Sequence, residues 1–208
     1  MRTELLIASP AGHLEAIFDH APDATRALVL CHPHPQYGGS MHDAVVDAVD
    51  GVARSHDFAT LRFNFRGVGA SSGRFDQGVG EVDDLLAALT WLRDRAATLP
   101  VWLAGYSFGS NIVWRAVERA GDIAGIVLIA PPIALMDFTA RPTAGAPVAA
   151  IAGDRDDYVD ATQLRSWAAN ATAGAAPTAT VELIAGADHF FSGRYAELAQ
   201  AAQRVLGR

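Results

Sequence analysis

The apolar positions along this 208-residue chain change their period repeatedly, and each change marks an element. Glu4–Ser9 and His13–Asp19 are short apolar or alternating segments separated by Pro10-Ala11-Gly12, which predicts a hairpin. Ala27–Cys31 is then apolar at every position, the mark of a strand buried on both faces. Beyond it Ala44, Val45, Ala48, Val49, Val52 and Ala53 recur at helical intervals. The alternation repeats. Phe58–Phe65 predicts a strand, Val79–Ala97 a helix with Leu85, Leu86, Leu89 and Leu92 on one face, Val101–Ala104 a strand and Phe108–Ala120 a helix. Ile123–Ala130 and Val148–Ala152 are two further apolar strands, and Asp160 with Gln163 fits a capping box opening a helix to Asn170. Val181–Ala185 and Tyr195–Leu206 complete the pattern as a strand and a helix. Strands alternating with helices predict an α/β fold: a mostly parallel, doubly wound sheet of about eight strands flanked by helices. No repeat or linker interrupts it, so residues 1–208 are expected to form a single domain.

That topology confines the chemistry. Parallel strands end at one edge of the sheet, and ligands bind outside those carboxyl ends. The segments that follow the strands share that rim: His32–Gly39, Arg66–Gly73, Gly105–Gly109, Pro131–Ala134, Gly153–Asp160 and Gly186–Phe191.

Composition removes several classes of function. Half the residues are hydrophobic and 19% are charged, as in a globular chain. All sixteen basic residues are arginine, and lysine is absent. Without a side-chain amine there is no Schiff base, no P-loop lysine and no Ser–Lys hydrolase. The single cysteine, Cys31, excludes an intrachain disulfide, a four-cysteine zinc site and a CxxC redox pair. Cys31 lies in an apolar run rather than at a turn, which suits a packing thiol better than a nucleophile. A net charge of −7 with no basic tract argues against nucleic acid or an anionic membrane as a partner. The apolar run Leu5–Ala8 is too short for a secretory core, and no stretch approaches a membrane span, so a cytoplasmic location is expected. The tripeptide Asn170-Ala171-Thr172 matches a glycosylation acceptor, but in that location the match is a coincidence.

The strongest chemical signal is Gly105-Tyr106-Ser107-Phe108-Gly109, a G-x-S-x-G between a predicted strand and a predicted helix. So tight a turn leaves no room for side chains at its glycines, and it raises the serine hydroxyl above the strand ends. Ser107 also opens a helix, whose dipole favours developing negative charge. A serine nucleophile needs a base, and the base an orienting carboxylate. Of seven histidines, the rim retains His32, His34 and His189, the last in Gly186-Ala187-Asp188-His189-Phe190-Phe191. For the carboxylate, Gly153-Asp154-Arg155-Asp156-Asp157 follows a strand, and four acidic residues by Asp160 leave the choice open.

With these pieces the chain resembles the α/β-hydrolase superfamily, and within it a group of small, cap-less bacterial serine hydrolases. The resemblance rests on His32-Pro33-His34-Pro35 with Gly38-Gly39-Ser40-Met41-His42, on Arg62-Phe63-Asn64-Phe65-Arg66-Gly67-Val68-Gly69 and on Gly105–Gly109. Gly153–Asp156 and Asp188-His189-Phe190-Phe191 complete it, so it covers residues 31 to 191. It implies a triad in the chain order nucleophile, acid, base: Ser107, Asp156 and His189, with Asp157 in reserve for the acid. It also implies an oxyanion hole from the backbone N–H of Phe108 and one in the loop after Cys31. Pro33 and Pro35 have no N–H, which leaves His34. Superfamily caps are inserted after the strand ending near Ala130, and only Pro131–Pro147 separates it from the next strand here. An open site for small or exposed acyl groups follows.

The activity so implied is hydrolysis of a small-molecule carboxylic ester through an acyl-serine, with no metal or organic cofactor. The same groups would serve a thioesterase, an amidase or peptidase, or an acyltransferase, and an inactive scaffold could act as a binding protein. Tyr37, Tyr106, Arg66 and Phe190 are candidates for the substrate pocket, with Phe108 and Phe191 nearby as pocket or core. Arg66 could equally serve a structural role. His32-x-His34 with His42 and Asp43 could suggest a metal site, although the rigid prolines Pro33 and Pro35 and the oxyanion role of this loop disfavour it. Gly67-x-Gly69-x-x-x-Gly73 is one residue too long for a dinucleotide loop.

Overall fold

A computed structural model describes residues 1–172, 174 and 179–207 of the chain. The hairpin forms as β1 (Arg2–Ser9) and β2 (Gly12–Asp19), paired antiparallel with Ser9 opposite Gly12. Then follow β3 (Arg26–Cys31), α1 (Ala44–Ser55), β4 (Phe58–Phe63), α2 (Val79–Arg95), β5 (Val101–Tyr106) and α3 (Phe108–Ala116). The chain continues through β6 (Gly125–Ile129), β7 (Val148–Gly153), α4 (Ala161–Asn170), β8 (Thr180–Ile184) and α5 (Tyr195–Leu206). The eight strands form one sheet in the order β1-β2-β4-β3-β5-β6-β7-β8. From β4 onward every pair is parallel, and the hairpin is attached antiparallel through β2 and β4.

Strand periodicity explains why the sheet is covered on both faces. Along β3, Val29 and Cys31 enter one core with Leu61, Leu103, Leu85 and Trp114, while Leu28 and Leu30 enter the other with Val45, Val49 and Phe58. Helices α2 and α3 supply the first face, joined by α4, where Trp167 packs edge-on against Trp114 at 5.3 Å. Helices α1 and α5 supply the second, through Val49, Leu198 and Val205.

Several boundaries differ from the periodicity, among them the ends of β4 and α3. The strand expected to reach Phe65 stops at Phe63, because the Phe65 N–H leaves the ladder and donates to His32 Nε2 at 3.0 Å. The helix expected to reach Ala120 ends at Ala116 and tightens into a 3-10 turn over Val117–Arg119. At α4 the Asp160 carboxylate accepts the Gln163 N–H at 2.7 Å, which is the forward half of the expected box. At α2 only the return half forms, since the N-cap Gly78 has no side chain: Glu81 accepts the N–H groups of Gly78 and Asp76 at 2.7 and 2.8 Å. Residues 130–147, where a cap would be inserted, contain no helix or strand.

Candidate active site

Ser107 sits between β5 and α3 with φ 50° and ψ −116°, a conformation unusual for a residue with a side chain. The surroundings impose it. The Ser107 N–H donates to Ile129 O on β6 at 2.8 Å, and its carbonyl accepts the Ser110 hydroxyl at 2.5 Å. The flanking glycines are required by contact: a methyl on Gly105 would drive into the Gly109 carbonyl, and one on Gly109 into the carbonyls of Cys31 and His32. Helix α3 is thereby drawn onto the end of β3.

Two further strand ends complete a hydrogen-bonded chain. His189, after β8, places Nε2 2.9 Å from Ser107 Oγ. Its Nδ1 lies 2.8 and 3.0 Å from the two carboxylate oxygens of Asp156, after β7. A carboxylate accepts, so Nδ1–H donates to Asp156 and Nε2 is left as acceptor for the Ser107 O–H. Asp156 and His189 are buried, whereas Asp157 is exposed and takes no part. Asp156 also accepts the Tyr158 N–H at 2.8 Å, which fixes its carboxylate.

The loop bearing His189 is itself pinned. The Asp188 carboxylate accepts the N–H groups of Ser192 and Phe190 at 2.9 and 3.1 Å, and these bonds hold it below the usual carboxylate range. The Tyr106 hydroxyl donates to the His189 carbonyl at 3.1 Å from a buried position. Burial, reinforced by the Asp43 carboxylate, pushes that phenol well above its ordinary value, so it remains a donor. Phe191 has φ 53° and is wholly buried with α5, which makes it core, while its neighbour Phe190 faces outward.

Around Ser107 opens a cavity of about 450 Å³. Five of the six rim segments contribute to it: Pro33 to Gly39 after β3, Tyr106 to Phe108 at β5, Pro132, Leu135 and Met136 after β6, Tyr158 after β7, and His189 with Phe190 after β8. Among the pocket candidates, Tyr37, Tyr106 and Phe190 line it. Arg66 requires correction. Its guanidinium is held by Asp84 at 2.8 and 2.9 Å, away from the cavity, and its segment folds back on the hairpin through Ser71 and Ala70 to Glu15. Strand β4 is one position farther from Ser107 than β3, which is why its loop does not reach the site.

The N–H groups of Phe108 and His34 both lie in segments lining the cavity. As the first residue of α3, Phe108 has no carbonyl one turn back to receive its N–H. The His34 ring stacks among Tyr37, Phe75 and Phe108 at 4.6 to 4.9 Å between centroids, and burial lowers its proton affinity. His32 is a structural residue: wholly buried, its Nε2 accepts from Phe65 and its Nδ1 donates to the Pro33 carbonyl at 2.6 Å. Both ring nitrogens are occupied, so the His32-x-His34 pair is not arranged to hold a metal. Among the described residues no three His, Cys, Asp or Glu side chains gather as a metal site. Cys31 is buried beside them, and burial raises its thiol well above the ordinary range, as befits a packing residue. Among the described residues no helix is long and apolar enough to cross a membrane.

Two lining residues, Tyr158 and Asp43, are absent from the pocket candidates that the sequence offers, Asp43 entering there only beside a possible metal site. Tyr158 stacks edge-on at 4.7 Å from the His189 ring, and Asp43, the N-cap of α1, is a lining residue whose charge acts on the Tyr106 phenol. An N-cap signal was present at Asp43, but nothing in the pattern indicated that the cap faced the site.

An open, mostly parallel sheet with a strained serine at the turn after its central strand defines a class of protein. The chain belongs to the α/β-hydrolase fold family, whose model matches residues 26–145. It is 34% identical to a lid-less α/β serine hydrolase from Xanthomonas campestris, whose structure superposes with a TM-score of 0.86 over 98% of this chain and 92% of that one. A protein of unknown function from Agrobacterium tumefaciens is 32% identical, with a TM-score of 0.91 over 99% of this chain and 95% of the other. A protein from Rickettsia prowazekii is 35% identical over 98% of this chain and 88% of its own length.

Proposed function

We propose that the protein is a serine esterase that cleaves small or exposed carboxylic esters through an acyl-Ser107 intermediate. The observation that carries this reading is the hydrogen-bonded chain from Ser107 Oγ through His189 to Asp156, at 2.9 and 2.8 Å. His189 Nε2 takes the Ser107 proton as Oγ attacks the ester carbonyl. The N–H groups of Phe108 and His34 hold the oxyanion, each worth about 3 kcal/mol of transition-state stabilisation. Asp156 keeps Nδ1 protonated and stabilises the imidazolium. The carbonyl re-forms, and the leaving alkoxide departs as alcohol with the proton from Nε2. Water then gives a proton to Nε2 and attacks the acyl carbon. Collapse releases the carboxylic acid and returns the proton to Ser107 Oγ.

A fluorophosphonate probe tests the nucleophile. It should label the folded protein on the peptide containing Ser107, and Ser107→Ala should lose the label together with roughly a thousandfold or more of p-nitrophenyl acetate turnover. Unchanged turnover in Ser107→Ala would end this reading.

A further inference from the structure

The cavity wall combines one carboxylate with five aromatic rings. Asp43 is half-buried, and its Oδ1 accepts the Val45 N–H at 2.8 Å. No ion pair engages it among the described residues, although Asp47 and Asp50 of the same helix are paired with Arg62. Tyr106 and Phe108 line the interior, and Tyr37, Tyr158 and Phe190 stand at the mouth with 87, 45 and 58% of their surface exposed. No arginine is among the described residues that line the cavity, and the chain has no lysine. The site thus offers a cation a negative charge and several π faces, with no arginine or lysine on its described wall to compete.

Capping α1 does not by itself account for this placement. Serine or asparagine caps a helix about as well as aspartate does, without adding a full charge to the wall of an apolar cavity. Burial pushes the Asp43 carboxyl up, so a positive group beside it would relieve an existing cost. The net charge of −7 acts in the same direction at longer range.

Building on the esterase reading, we propose that the Ser107 site selects esters that carry a quaternary or protonated amine, with Asp43 and the surrounding aromatic rings receiving the cation. Aromatic faces attract ammonium groups through their quadrupole, most strongly where water is partly excluded. An anionic ester would meet the Asp43 charge and be rejected.

Isosteric substrate pairs test this. Choline butyrate is compared with 3,3-dimethylbutyl butyrate, which replaces the charged nitrogen by carbon on the alcohol side. The p-nitrophenyl esters of 4-(trimethylammonio)butyrate and 5,5-dimethylhexanoate make the same comparison on the acyl side. In at least one pair the charged member should be favoured about tenfold in kcat/KM, and Asp43→Asn, which keeps the cap, should bring that ratio close to one. A ratio at or below one in both pairs overturns the proposal, as does a preference that survives Asp43→Asn. Choline binding, measured by calorimetry on Ser107→Ala with and without Asp43→Asn, needs no turnover. Loss of all ester cleavage with choline binding retained would count against the esterase reading alone. Absence of choline binding that depends on Asp43 would count against the cation seat.

Discussion

At the scale of single residues, the neighbouring acids Asp156 and Asp157 make a sharp comparison. They have the same chemistry and adjacent positions, yet only Asp156 lies within 2.8 Å of His189 Nδ1. Asn at 156 would offer Nδ1 an amide that can donate as well as accept, and so permit the wrong imidazole tautomer. Asp156→Asn should therefore lower kcat by about 10³ to 10⁴ with little change in KM. Asp157→Asn, altering an exposed carboxylate, should stay within about twofold of wild type. Steady-state kinetics on one soluble ester checks both, and equal losses would contradict the assignment of roles. The sequence left these two open because loop residues carry no periodicity. Their separation depends on where the turn after β7 aims each side chain, a property of the folded loop.

At the scale of elements, His32 joins the ends of β3 and β4 and makes their junction sensitive to acid. Burial lowers its pKa from 6.5 to about 4, opposed by its bond to the Pro33 carbonyl. Protonation would also turn Nε2 from acceptor to donor and break the bond from the Phe65 N–H. Between pH 6.5 and about 4 the unfolded chain binds the proton and the folded chain does not, so stability falls as pH falls through this window. The loss is complete below about pH 4 and amounts to ~3 kcal/mol. Urea unfolding should show it as a decline between pH 7 and pH 4 that is shallower in His32→Gln, although that variant is less stable at pH 7. Identical slopes would show that other groups control the acid limb. Periodicity placed all eight strands and five helices, because β3 to β7 are buried on both faces and mostly apolar while the hairpin carries its own turn signal. It missed the early end of β4 for a physical reason: a side chain, not a strand, receives the Phe65 N–H. The order of strands in the sheet was likewise invisible, and with it the fact that Arg66 lies beyond reach of Ser107.

At the scale of the whole molecule, the cavity around Ser107 opens directly to solvent. Only irregular chain connects β6 to β7, and it lends Pro132, Leu135 and Met136 to the cavity wall instead of a cap. Leu135, Tyr37 and Phe190 are 66, 87 and 58% exposed at the mouth, so no described residue must swing aside before an ester reaches Ser107. An enzyme whose site is uncovered by contact with lipid gains rate when its substrate forms droplets, because the interface shifts a closed–open equilibrium. Here no described element is placed to close the site, and that equilibrium has no structural basis. Tributyrin hydrolysis followed by pH-stat should rise hyperbolically with concentration and pass through the solubility limit without a step. A jump of about tenfold as droplets appear would mean that some segment does cover the site in solution, the chain between β6 and β7 being the one positioned to do so.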